Sequence, residues 1–156
     1  QILPPSAPVE HGDELWFYYT GLKYRASFIY VGRYPNGKHV TKPGLEPDRG
    51  AICLAVLRRD GFVSLDAGEK SGQLVTRAMV LPGGKMHVNA DAVDGELRVE
   101  VLNAEDKVVA VSENVSGDSV RKEIRWKRGG LAQLKGQAVT LRFTLRNARF
   151  YSYWFK

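Results

Sequence analysis

The sequence predicts an all-β protein, built as an antiparallel β-sandwich or jelly roll. Apolar and polar residues alternate over short segments bounded by glycine, proline, asparagine and aspartate, as in strands with one buried face. No segment keeps the 3.6-residue apolar period of an amphipathic helix. Many short strands separated by turns are typical of two-sheet antiparallel folds. These observations together favour a sandwich over any helical or mixed class.

The length and composition are those of a globular domain. At 156 residues, with 44% hydrophobic and 26% charged residues, the chain can build a full core and is not expected to be disordered. Its longest apolar run, 51–57, is far below the roughly 20 residues of a membrane span. Cys53, the single cysteine, lies in that run, which excludes an intramolecular disulfide and a zinc site of several thiolates.

The N-terminal third is predicted to be irregular or edge-like, because six of the seven prolines lie between Pro4 and Pro47. A strand is expected over 15–20 and another over 51–57. Between them, the long loop 22–49 carries turn residues and scattered aromatics. Loops of this length in compact domains are typically functional or mobile.

From residue 50 onward, the pattern is strand, turn, strand. In the segment 86–92 the even-numbered apolar residues share one face, and in 97–101 the odd-numbered ones do. The Asp94-Gly95 pair between these segments predicts a hairpin. The last strand, Phe150 to Phe155, is apolar on both faces, which indicates a central position or a face covered from outside.

The net charge of +6 is uneven along the chain. Residues 1–106 carry 12 basic and 14 acidic side chains, a balance of −2, whereas residues 107–156 carry 11 and 3, a balance of +8. In 120–126 and 139–146 these charges alternate with apolar residues, as on the solvated face of a half-buried strand. An anionic ligand is the alternative. The alternation argues against a nucleic-acid partner, because phosphate contacts come from clustered Lys and Arg side chains.

Catalysis within this chain is not expected. The three histidines lack metal-ligand spacing, and no serine lies in a Gly-x-Ser-x-Gly elbow. Most carboxylates lie at turns, where aspartate bonds its own backbone. No cofactor is predicted. A structural calcium ion on Asn89, Asp91 and Asp94 remains an alternative, although these residues do not match an EF-hand loop.

The aromatic residues are the most informative class. Tyr24, Tyr30 and Tyr34 lie in the long loop, interleaved with Arg33 and Lys38. An irregular segment cannot direct all of these rings into a sheet core, so some are expected in solvent. Tyrosine and tryptophan combine an apolar body with a polar group, which suits the C–H faces and hydroxyls of sugar rings. This loop is the first candidate for a carbohydrate-binding surface; the alternative is that it covers the edge of the sandwich.

A second candidate surface lies on the strand over 15–20. Strand alternation places Trp16 and Tyr18 on one face and Leu15, Phe17 and Tyr19 on the other. One set must face away from a single core. The alternative is that both sets are packed between layers.

Several stretches resemble the C-terminal region of five-bladed β-propeller glycosidases, those related to glycoside hydrolase families 32 and 43. The segments 8–21 and 50–68 look like the last propeller blade and the crossing that follows it. The remainder is similar to the β-sandwich behind that propeller, through the segments 95–101, 116–121, 125–126, 141–147 and 151–153. The loop 22–49 departs from this pattern, since a short hairpin would be expected there.

This resemblance implies two parts: residues 1–65, similar to a last blade, and residues 66–156, the β-sandwich. The alternative for residues 1–65 is that they add strands to the sandwich. It also implies an accessory module of a secreted protein, extracellular or periplasmic, with an upstream catalytic domain as partner. The catalytic acids of such enzymes come from earlier blades, so none is assigned here. The chain begins with Gln1, which indicates a removed leader or a piece of a longer protein.

The sequence leaves three alternative functions for the chain. The first is a non-catalytic module that binds polysaccharide or oligosaccharide through its aromatics. The second is a purely structural sandwich that packs on a propeller domain. The third is a binder of acidic glycans through the C-terminal arginines and lysines. No membrane partner is expected.

Overall fold

A computed structural model describes residues 2–3, 7–22, 36–37 and 50–156. The described secondary structure consists of antiparallel strands and one short 3₁₀ turn. The all-β prediction is therefore confirmed, with a sandwich-like architecture, while the finer prediction of a jelly roll stays a prediction. The chain forms two compact units, 1–59 (unit 1) and 60–156 (unit 2). The resemblance places this boundary after residue 65.

In its described residues, unit 1 is a four-stranded antiparallel sheet centred on its third strand. That strand pairs along its whole length with the fourth strand on one side, and with the first and second strands in succession on the other. The strands are β1 Ile2–Leu3, β2 Val9–His11, β3 Glu14–Leu22 and β4 Gly50–Arg58.

A tight turn sets the register of β2 against β3. Gly12 and Asp13 connect the strands, and Gly12 has a φ of 61°. A positive φ at the first central residue is the geometry of a type II′ hairpin turn, which glycine adopts without strain. The turn places His11 opposite Glu14, so Val9 lies opposite Trp16.

Unit 2 is a nine-stranded sheet built around one long strand of 17 residues, β8. Strands β9 and β10 pair along one side of β8, and β12 and β13 along the other. The outer strands are β5 on β13, β6 and β7 on β12, and β11 on β9. The strands are β5 Leu65–Ala67, β6 Gly72–Val75, β7 Met79–Val80, β8 Met86–Leu102, β9 Val108–Ser112, β10 Val115–Glu123, β11 Trp126–Arg128, β12 Ala138–Arg146 and β13 Ala148–Phe155, with the 3₁₀ turn at Ala132–Leu134.

The predicted hairpin at Asp94-Gly95 is wrong, because β8 runs through these residues without reversing. The register against β10 shifts between Ala92 and Leu97, and this irregularity changes the inward positions from even to odd numbers. A Cβ on Gly95 would lie 1.9 Å from the carbonyl oxygen of Arg146. Glycine is therefore present because β12 approaches closely, and not because the chain turns.

Strands β8, β12 and β13 contribute to one core. Phe143 on β12 contacts Phe150 and Tyr153 on β13, with ring centroids 4.6 and 5.2 Å apart. Along β12, buried residues alternate with more exposed ones, as the sequence pattern predicted. The largest fully buried side chains are Phe143, Leu81, Met86, Leu97, Leu141, Val88, Val99, Val101, Val139, Asn89 and Ser112.

Candidate functional site

The described part of the predicted carbohydrate-binding surface lies on one face of the unit 1 sheet. Trp16 and Tyr18 project to the same side of β3, because alternate strand residues share a face. Their cross-strand partners on β4 are Val56 and Leu54. Tyr18 is 47% exposed and Trp16 is partly buried. The prediction that these two rings share a face agrees with their placement on β3.

Two contacts hold the indole of Trp16 in place. The His11 ring stacks on it, with centroids 4.1 Å apart and planes inclined by 28°. The indole Nε1–H donates a hydrogen bond of 2.7 Å to Glu14 Oε2. Sequence reasoning missed both contacts. The Gly12-Asp13 turn was the available signal, since a two-residue hairpin loop puts His11 diagonally across from Trp16.

Tyr18 extends this aromatic surface along the strand. Its ring meets Trp16 edge to face, with centroids 6.3 Å apart and planes at 72°. Exposed His11 and Glu14 lie at one end of the pair. The arrangement therefore combines partly exposed rings with neighbouring hydrogen-bonding groups, which is the combination that ligand sites for amphipathic molecules use. We call His11, Glu14, Trp16 and Tyr18 the aromatic platform.

Aliphatic side chains share the face of the aromatic platform. Ile52, Leu54 and Val56 on β4 are 82%, 42% and 51% exposed, and Val9 on β2 is 50% exposed. None of the side chains described in unit 1 is fully buried. Contiguous apolar surface of this kind marks contact with another molecule or domain more often than it marks free surface.

Five of the seven predicted binding residues lie outside the residues that the structure describes. The structure therefore places Trp16 and Tyr18 side by side, and the role of the loop residues stays a prediction. The five are Tyr24, Tyr30, Arg33, Tyr34 and Lys38.

In unit 2, arginines of the basic C-terminal region form ion pairs with carboxylates of neighbouring strands. The Arg142 guanidinium lies 2.6 Å from Glu100, whose side chain is only 11% exposed. This ion pair between β8 and β12 neutralises part of the positive charge of the C-terminal region. Two further pairs are Arg146 with Glu96 at 3.1 Å and Arg149 with Asp66 at 3.9 Å.

A second histidine–tryptophan stack lies on the outer face of β8 and β13. His87 and Trp154 are cross-strand partners, with ring centroids 5.5 Å apart and planes inclined by 11°. His87 lies on the opposite face of β8 from Met86 and Val88, and it is partly buried. The sequence did not indicate this stack, which depends on the register between two strands distant in sequence.

Unit 2 also has an open cleft of about 350 Å³ beside β5 and β13. Its volume is at the lower end of the range for small-ligand sites. Nothing in the sequence pattern indicated it, because the lining comes from separate segments of the chain. The lining residues are Val63, Ser64, Leu65, Leu74, Phe150, Tyr151, Ser152 and Tyr153.

The residues of the calcium alternative lie in or beside the irregular part of β8. Asn89 is fully buried, and an Asp91 carboxylate oxygen accepts a hydrogen bond of 3.3 Å from the Val93 backbone N–H. Within the described ranges, no group of three or more His, Cys, Asp or Glu side chains is arranged to hold a metal ion. The same ranges contain no helix with the length and apolar character needed to cross a membrane.

Comparisons with known proteins add no relative. No family model matches the chain, and no curated protein and no solved structure is significantly similar to it. The resemblance to propeller glycosidases therefore rests on the sequence motifs alone.

Proposed function

We propose that this chain is a non-catalytic carbohydrate-binding module that contacts polysaccharide or oligosaccharide through exposed aromatic residues. The observation that carries the proposal is the aromatic platform on β2 and β3. Trp16 is fixed by a stacked His11 and a hydrogen bond to Glu14, beside the exposed ring of Tyr18. A ring that is already fixed loses little conformational freedom on binding, which favours affinity.

The polar groups of the platform supply what a sugar requires besides a flat apolar surface. Glu14 has a second carboxylate oxygen to accept hydrogen bonds from hydroxyls, and the phenol of Tyr18 both donates and accepts. The loop residues Tyr24, Tyr30, Tyr34, Arg33 and Lys38 belong to the same proposal as further contacts. In a glycoside hydrolase-like secreted protein, such a module would raise the local concentration of the enzyme at its substrate.

A second function is supported by a different observation. Ile52, Leu54 and Val56 form an exposed aliphatic surface next to the platform, and sugar recognition does not require aliphatic side chains. This surface suits packing against another folded domain, such as an upstream catalytic domain. In that case the unit would be structural.

Affinity electrophoresis in gels that contain neutral or acidic polysaccharides tests these functions. We expect retardation by a neutral glycan, and a loss of at least roughly tenfold in affinity for Trp16→Ala and Tyr18→Ala. The matched control is Trp154→Ala, which removes the other tryptophan stacked on a histidine and should leave retardation unchanged.

The other outcomes overturn the proposal in distinct ways. If no polysaccharide retards the chain, the structural function is favoured. If only acidic polysaccharides retard it, and salt abolishes the effect, the cationic residues of the C-terminal region are responsible. If Trp154→Ala weakens retardation as much as Trp16→Ala, the platform is not the site.

A further inference from the structure

Unit 2 protects the outermost strands of its sheet against pairing with other chains. β5, β7 and β11 have only two or three residues, and β6 has four. β10 is longer, with nine residues, but carries Asp118, Arg121, Lys122 and Glu123. Where β13 extends beyond β5, its pairing with β8 has an irregularity after Phe150. Short strands, charges and bulges are the usual devices that prevent edge-to-edge association.

The edge strand β4 of unit 1 has none of these devices. It is nine residues long and pairs with β3 in an unbroken register over its full length. It contains no proline, and its only charged residue is the last one, Arg58. No strand in the described part of the chain pairs with its other edge. A long, regular, apolar edge of this kind favours the addition of another strand.

We propose that β4 pairs antiparallel with β4 of a second copy of this chain, across a two-fold axis at Leu54. The two four-stranded sheets then become one continuous sheet. The occupant is a second copy because the strand is complementary to itself in this register, and a two-fold contact uses the same surface on both partners.

The register follows from overlap and charge. With Leu54 on the axis, all nine residues are paired: Ile52 lies opposite Val56 of the second copy, and Leu54 opposite Leu54. Aliphatic pairs of this type stabilise antiparallel sheets. Arg58 lies opposite Gly50 of the second copy, so the two Arg58 charges are at opposite ends and do not repel. A shift of the axis to Cys53 would preserve the faces but leave the last two residues unpaired.

The proposed contact is small, because it adds a single ladder of backbone hydrogen bonds and one row of side chains on each face. Contacts below the standard interface size are typically transient. We therefore expect a dimer that is concentration-dependent, with a dissociation constant in the micromolar range.

A charge-swap experiment tests the contact directly. Sedimentation velocity of the unmodified chain over a concentration series should show a monomer–dimer equilibrium. Leu54→Lys and Leu54→Glu each place two like charges opposite one another on the axis, so each variant alone should associate at least roughly tenfold more weakly. An equimolar mixture of the two variants should dimerise again, because the introduced ammonium group of one copy would then face the introduced carboxylate of the other.

The control is Val93→Lys, which adds a charge at a 65% exposed apolar residue of unit 2 and should leave dimerisation unchanged. Circular dichroism of each variant confirms folding, which is expected because Leu54 is 42% exposed. The proposal is overturned if the unmodified chain stays monomeric throughout the series, if Leu54→Lys dimerises normally, or if the mixture does not regain the dimer.

Discussion

The two units differ in where they place their apolar side chains. Unit 2 buries Phe143, Leu141 and Leu97 in one hydrophobic core. Unit 1 presents Trp16 and Tyr18 on a sheet in which none of the described side chains is fully buried. A unit with its own core can be understood as a self-sufficient fold. A sheet with exposed apolar side chains is better understood through what it contacts, which is why we place the candidate site there.

The largest expected effect is at the centre of the unit 2 core. Phe143→Ala removes a ring that contacts Phe150 and Tyr153 and should lower the free energy of unfolding of this unit by about 3–5 kcal/mol. Urea denaturation followed by near-UV circular dichroism measures the change. A loss below about 1 kcal/mol would show that β12 and β13 do not share a core.

The close approach at Gly95 gives the next effect. Gly95→Ala would force a Cβ against the Arg146 carbonyl oxygen and should cost about 1–3 kcal/mol, as overpacking usually does. The matched control is Gly68→Ala, where no atom lies within 4 Å of the added Cβ; its effect should be neutral or slightly stabilising. Equal effects at both glycines would contradict the continuous strand β8.

The shielded ion pair of Glu100 with Arg142 should contribute more than an exposed one. Glu100→Gln removes the charge from a side chain that is 11% exposed, and we expect a loss of about 1–2 kcal/mol. The comparison is Glu105→Gln, which affects the exposed pair with Lys107 and should change stability by less than about 0.5 kcal/mol. Thermal unfolding measures the loss of stability in each variant. Equal losses in the two variants would contradict the expected difference.

The smallest effect should occur on the apolar face of unit 1. Ile52 is 82% exposed, so Ile52→Ser should change the free energy of unfolding by less than about 0.5 kcal/mol. Hydrogen exchange of β3 and β4 amides reports on this sheet specifically. Strong destabilisation would mean that the apolar face of unit 1 is covered in solution. This result would favour the structural function over carbohydrate binding.

The fold was predictable wherever alternation alone decides which side chains are buried. The inward residues Val139, Leu141 and Phe143 follow from the polar residues between them, and the inward apolar residues of 86–92 and 97–101 were predicted correctly. The burial of Asn89 and Glu100 on the same strand was not predicted. The connection inside β8 was not, because Asp-Gly is the same dipeptide in a hairpin turn and at a close approach. Only the position of β12, distant in sequence, distinguishes the two.

The candidate site was predictable to the same extent. Alternation places Trp16 and Tyr18 on one face of a strand. The contacts that hold Trp16 depend on the register of a turn, which fixes His11 and Glu14 beside it. The stack of His87 on Trp154 depends on pairing between β8 and β13, and local pattern contains no information about such pairing.

The most direct test of the central claim uses the three tryptophans as reporters. In a titration with a neutral oligosaccharide followed by ¹H–¹⁵N NMR, the indole signal of Trp16 should shift in a saturable way. The indole signals of Trp126 and Trp154, both in unit 2, should stay in place. A titration in which Trp16 does not respond while binding occurs elsewhere, or in which no oligosaccharide binds at all, would contradict the assignment of the aromatic platform as a carbohydrate site.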